Sequence, residues 1–156
     1  MKTEILNIFT CPNKGEPMES HDYIEALTGL GLAGDRYALG TGSYSKTKLG
    51  KRQVTFIAIE AFDKANQQLA VPFLLEETRR NIVLRGVDVN PLVGKMFKIG
   101  SVIFKGTELC DPCDWPDKKA NKTGFKEAYE LKGGLRAEVL SGGMVTRGEM
   151  TFQIIE

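Results

Sequence analysis

Two cysteines three residues apart, Cys110 and Cys113, stand where an apolar run gives way to a polar, proline-rich stretch. The run, Ser101-Val-Ile-Phe-Lys-Gly-Thr-Glu-Leu109, reads as a strand, and Asp114-Trp-Pro-Asp-Lys-Lys119 is too polar and proline-rich to continue it. Two thiols at a strand mouth, on a loop held by Pro112 and Pro116, are set to meet a ligand. A thiolate attacks sulfur or binds a soft metal, whereas a thiol does neither well. Lys105, Lys118 and Lys119 would favour the thiolate, and Asp111, Asp114 and Asp117 oppose them. The plainer alternative is a pair of reduced cysteines with no task. A closed zinc site needs four ligands, so Cys11, Cys110, Cys113 and His21 would all have to converge. Cys11, before Pro12 at a strand end, reads instead as a small buried hydrophobe. A thioredoxin-like dithiol would open a helix, and no helix signal follows Cys113.

Anion-binding candidates are spread along the chain. Gly29-Leu-Gly-Leu-Ala-Gly-Asp-Arg-Tyr37 ends in an adjacent acid and base. Asp35 and Arg36 there either lock a loop by local hydrogen bonds or present the arginine to an anion beside glycine amides. Residues 40–52 form a Gly/Ser/Lys loop without the spacing of a phosphate-binding P-loop, and read as a surface loop. Arg79, Arg80 and Asn81 open a strand, which puts a rigid, permanently charged donor fork at a sheet rim or simply a solvated pair there. Arg136 opens another strand between two glycine pairs, Gly133-Gly134 and Gly142-Gly143.

The positioning elements are short. Strands are expected at Ile5–Phe9, Val54–Ile57, Asn81–Arg85, Met96–Ile99, Val102–Lys105, Arg136–Leu140 and Met150–Ile155, with a hairpin turning at Gly100-Ser101. Helices are expected over Ile59 to Leu69 and Phe125 to Leu131. Short strands, few helices and 17 glycines point to a mostly β, mostly antiparallel, barrel-like fold with helical insertions. The 156 residues fit a single domain, residues 1–156, large enough to bury a core unaided. A net charge of +1 favours neither nucleic acid nor an acidic membrane as partner, and no apolar run approaches a membrane span. Met1-Lys2-Thr3-Glu4 leads into a strand rather than a signal peptide, and three cysteines are an odd count, so a reducing, cytoplasmic setting is expected.

Taken in order, GLAGDRY (31–37), RQVTFI (52–57), RRNIVLRGVDVNPLVGKMFKIG (79–100), ELCDPC (108–113) and GGLRAEVLSGGMVTRGE (133–149) resemble a MOSC domain. This module occurs at the C-terminus of molybdenum-cofactor sulfurases and as small stand-alone bacterial proteins. The resemblance implies a closed β-barrel with a few short helices, a molybdenum cofactor (molybdopterin), and Cys113, after Pro112, as molybdenum ligand or sulfur carrier. Cys110 corresponds to the optional second cysteine. Asp35, Arg36, Arg79, Arg80, Asn81 and Arg136 become the candidate cofactor-binding residues. Two functions are thereby implied: molybdenum-dependent reduction of a small N-hydroxylated substrate, or carriage of a persulfide on Cys113 for delivery to another sulfur–metal centre. Either needs a separate redox or sulfur-donor protein, since no flavin, haem, iron–sulfur or pyridoxal phosphate motif is present.

Overall fold

A computed structural model describes residues 3–13, 15–39, 53–110 and 128–155. Cys113, the 40–52 loop and residues 125–127 of the second expected helix lie outside the described residues; of its remainder Ala128 is helical and residues 129–131 form a turn. The elements run β1 (Glu4–Thr10), β2 (Glu19–His21), β3 (Tyr23–Leu27), β4 (Gly31–Leu32), α1 (Arg36–Leu39), β5 (Val54–Ala58), α2 (Ile59–Asn66), β6 (Ile82–Arg85), β7 (Met96–Ile99), β8 (Val102–Leu109), β9 (Leu135–Ser141), β10 (Gly143–Thr146), β11 (Gly148–Glu149) and β12 (Phe152–Ile154). No helix among them is long and apolar enough to cross a membrane.

The main sheet has the order β11-β1-β6-β5-β9-β8-β7-β12, with β2 beside β1, and a small sheet is ordered β10-β3-β4. The fold is mostly β with few short helices, as the glycine-punctuated apolar runs implied. The expectation of a closed barrel is corrected: no ladder joins β11 to β12, so the sheet is open among the described residues. The reason is local. Of the two residues linking these end strands, Met150 donates its N–H to Thr3 O (3.1 Å) and Thr151 accepts at its carbonyl from Gly100 N (3.0 Å). Those groups are committed toward opposite ends of the strand order, beside β1 and at the end of β7.

β5 and β6 form the one parallel ladder among the described strands, joined through α2. A parallel pair needs a crossover with helix cover, and this explains why all five residues of β5 are buried. Val54 and Phe56 face one apolar cluster with Ile5, Ile82, Phe97 and Phe104. Ile57 faces another, with Phe62 and Ala65 of α2 and with Phe73 and Tyr129. In the first cluster, the Phe56 ring meets Phe97 and Phe104 edge-on at 5.6 and 5.0 Å. Such pairing gains energy beyond the buried area and fixes the middle of the sheet. The site residues stand on this rigid middle.

Candidate functional site

One polar row crosses the sheet. Phe9 donates its N–H to Asn81 O (2.7 Å), Asn81 bonds Thr55, Thr55 stands opposite Arg136, and Arg136 stands opposite Glu108. Asn81 has no exposure and its side chain is fully engaged. Its Oδ1 accepts from Thr55 N (2.9 Å) and Thr55 Oγ1 (3.1 Å), and its Nδ2 donates to Phe9 O (3.0 Å). Asn81 therefore ties three strands together. Arg136 pairs with Glu108, NH1 to Oε1 at 3.5 Å. That oxygen is buried without a hydrogen bond, so the pair is held by charge at a distance where directional bonding is lost.

The consecutive Arg79 and Arg80 go to different places. Arg79 has φ 62°, the left-handed region that a bulky residue seldom occupies. It caps the 3-10 turn Leu75–Thr78, and there the chain changes direction before β6. The Arg79 side chain is buried, donating to Glu16 O (2.7 Å) and to Cys11 Sγ (3.6 Å). Burial, and next the charge of Arg36, pull its pKa below the usual guanidinium value. Arg36, also buried, donates to Arg79 O (3.2 Å) and pairs with Asp35 Oδ1 (3.2 Å). Asp35 has no exposure; its Oδ1 also accepts from Cys11 N (2.9 Å), and its Oδ2 from Tyr37 N (3.4 Å). Asp35, Arg36 and Arg79 thus close on one another and on Cys11. Of the two readings open for Asp35 and Arg36, loop locking fits this arrangement.

Arg80 is the exception. Its Nε donates to Gly133 O (2.6 Å) and its NH1 to Thr78 O (3.1 Å). No carboxylate pairs with it among the described residues, and no hydrogen bond involves NH2. It also lies near enough to Tyr129 to offset in part the upward push that burial gives that phenol's pKa. Cys110, buried at the end of β8, donates its N–H to Gly134 O (2.8 Å), so the 133–134 turn joins Arg80 to the cysteine-bearing strand end. A Cβ on Gly133 would stand 2.5 Å from Cys110 O and 3.5 Å from Arg80 NH2. Gly133→Ala is therefore expected to lower stability by about 1–3 kcal/mol through overpacking and to displace Cys110. A denaturant midpoint equal to that of the native chain would contradict it.

The hydrogen bonds and ion pairs of the expected arginine contacts run to different partners. Arg36 and Arg79 gather at Cys11, Arg80 reaches the Cys110 strand end, and Arg136 lies between them on Glu108. Cys11 is buried, as its apolar reading required, but it was missed as the partner of Arg79. No residue spacing signals that contact, since Cys11 and Arg79 meet 68 positions apart. His21 Nε2 lies 2.6 Å from Thr10 Oγ1, and among the described residues no three His, Cys, Asp or Glu side chains are grouped to hold a metal ion.

The MOSC domain family model matches residues 32–151. The chain belongs to the MOSC family. No curated protein matches it in sequence. The crystal structure of the YuaD protein from Bacillus subtilis is similar with a TM-score of 0.82 at 18% identity, covering 97% of this chain and 95% of that one. YiiM from Geobacillus stearothermophilus gives 0.70 at 14% identity, covering 99% of this chain and 75% of that one. YiiM from Escherichia coli gives 0.70 at 15%, with 100% and 70% covered. These three likenesses concern the fold. The MOSC model spans α1, the Arg79–Arg80 junction and the cysteine pair, and therefore all six cofactor-contact candidates.

Proposed function

We propose that this MOSC protein binds a molybdenum cofactor at the rim beside the end of β8, with Cys113 as the thiolate ligand and Arg80 as the contact for its anionic part. The observation that carries this reading is the state of Arg80. Its guanidinium is anchored through two backbone carbonyls and, among the described residues, NH2 makes no hydrogen bond and no carboxylate pairs with it. A planar cation so held suits a phosphate or another anion. The donor chemistry fits as well. A cofactor that brings its own dithiolene sulfurs asks the protein for one soft donor, and the 110–113 motif offers thiols. When bound, such a cofactor supplies two-electron reduction, here of a small N-hydroxylated substrate with electrons from a separate protein. Arg80 would orient the cofactor, and the 133–134 turn would hold Cys110 at the end of β8.

The test is molybdenum content and pterin fluorescence of protein purified from a cofactor-producing host. The native chain is expected to carry both. Arg80→Ala should retain about tenfold less, the loss of one charge-assisted contact, and the deficit should widen at high salt because the remaining attraction is screened. Equal molybdenum in both proteins would refute the role of Arg80. A native chain without molybdenum but with one extra sulfur on Cys113 would replace this reading by persulfide carriage.

A further inference from the structure

A cavity of about 390 Å³ opens on the other side of the 133–134 turn, between the end of β5, the first turns of α2, the 86–90 segment and the 131–134 segment. Its size is within the range of small-ligand sites. Two lysines line it, Lys64 and Lys132, and neither ammonium group has a hydrogen bond or a carboxylate partner among the described residues. The acids lining the cavity are turned to backbone amides instead: Glu60 Oε2 accepts from Gly86 N (2.9 Å) and Asp88 Oδ1 from Asn90 N (3.3 Å). The remaining lining is largely aliphatic, with Ala58, Ala61 and Val87 inside and Leu131 at the mouth, 71% exposed. A leucine held in water at the lip of a cavity is apolar surface that an occupant would cover.

We propose that this cavity is a binding site for a small amphiphilic anion, a carboxylate or phosphate monoester with a compact apolar body. The head group lies between Lys64 and Lys132, and the body packs on Ala58, Ala61, Val87 and Leu131. The site shares Gly134 with the turn that holds Cys110, but its lining includes none of the proposed cofactor contacts, and it needs neither molybdenum nor a cysteine.

Calorimetric titration of metal-free protein with phenyl phosphate, benzoate and inorganic phosphate tests it. One or both aryl anions should bind saturably at one site, about tenfold or more tighter than inorganic phosphate, since a buried ring adds apolar contact. Which aryl anion binds tighter assigns the head group. The Lys64→Ala/Lys132→Ala double variant, altered only in lining lysine side chains, should bind at least about tenfold more weakly. Ala61→Leu, with both lysines kept and folding checked by circular dichroism, should block the aryl anions by filling the cavity. Arg80→Ala should bind as the native chain does. The proposal is overturned if neither aryl anion saturates, if inorganic phosphate binds as tightly as they do, if the double lysine variant binds unchanged, or if Arg80→Ala abolishes binding.

Discussion

Asp35→Ala is expected to lose about 3–5 kcal/mol of stability, the cost of stranding a buried charge, and to unfold at a much lower urea concentration. Its carboxylate, with no exposure, pairs with Arg36 and accepts the N–H groups of Cys11 and Tyr37. Removing it leaves Arg36 facing Arg79 with no acid between them and leaves the Cys11 amide without its acceptor. The damage would extend to Arg79 O, which Arg36 holds, and so to the turn that directs Arg80. Asp35→Asn should cost less, because the amide oxygen still accepts. It also exposes a pH dependence. Burial raises the folded pKa of Asp35 above 3.8, outweighing the lowering by Arg36 and the backbone amides. Between 3.8 and that raised value the folded state holds more protons than the unfolded one, so the contribution of Asp35 falls as pH rises through this window. The native chain should therefore gain on Asp35→Asn as the pH is lowered toward 3.8, measured by paired urea titrations. A pH-independent difference would contradict the assignment.

Cys113→Ser is expected to abolish molybdenum or persulfide loading, whereas Cys110→Ser keeps part of it. Cys110 is buried and its backbone is bonded to Gly134, which suits a supporting thiol behind the ligand. Cys113 follows Pro112, whose fixed φ pre-sets the backbone there. Serine cannot replace a thiolate as a soft donor or as a carrier of sulfane sulfur. Metal content and intact mass should be compared across Cys113→Ser, Cys110→Ser and Cys11→Ser. Full loading in Cys113→Ser refutes the assignment, and loss in Cys110→Ser alone transfers the role to Cys110. Cys11→Ser is an informative control, since it tests whether the sulfur beside Arg79 takes any part.

Elements with strong periodicity were legible in the residues. β7 has the expected bounds, its hairpin with β8 turns at Gly100-Ser101, and α2 starts at Ile59 as its apolar spacing required. α2 ends at Asn66 rather than Leu69: the amides of Gln68 and Leu69 turn to the carbonyls three residues back, and the Asn66 side chain bonds both backbone groups of Phe73. β2, β3 and β10 were missed for a different reason. Glu19-Ser-His21 is polar and only partner-driven, and although exposed Tyr23, Glu25, Met144 and Thr146 alternate with more buried Ile24, Ala26 and Val145, each run is too short for its apolar positions to mark a strand. In the site, strand-start arginines signalled cations at a rim. Their division into two groups was not legible, because it depends on the left-handed backbone of Arg79, a conformation that arginine does not advertise. The barrel expectation failed at the two-residue link between β11 and β12, across which no ladder joins them among the described residues.

That link also sets a schedule. Thr3 Oγ1 donates to Met150 O across 147 positions, and β11 pairs with β1 while β12 pairs with β7. One short segment, 148–154, thus covers edges of strands made at very different times in synthesis. Until it emerges, β1 and β7 present unpaired N–H and C=O groups to whatever strand is nearest. Part of the β1 edge, and the β7 edge once made, thus wait for a late segment, and contacts of such long range slow the final step. Residues 148–154 are where a chaperone that shields sheet edges would have to let go.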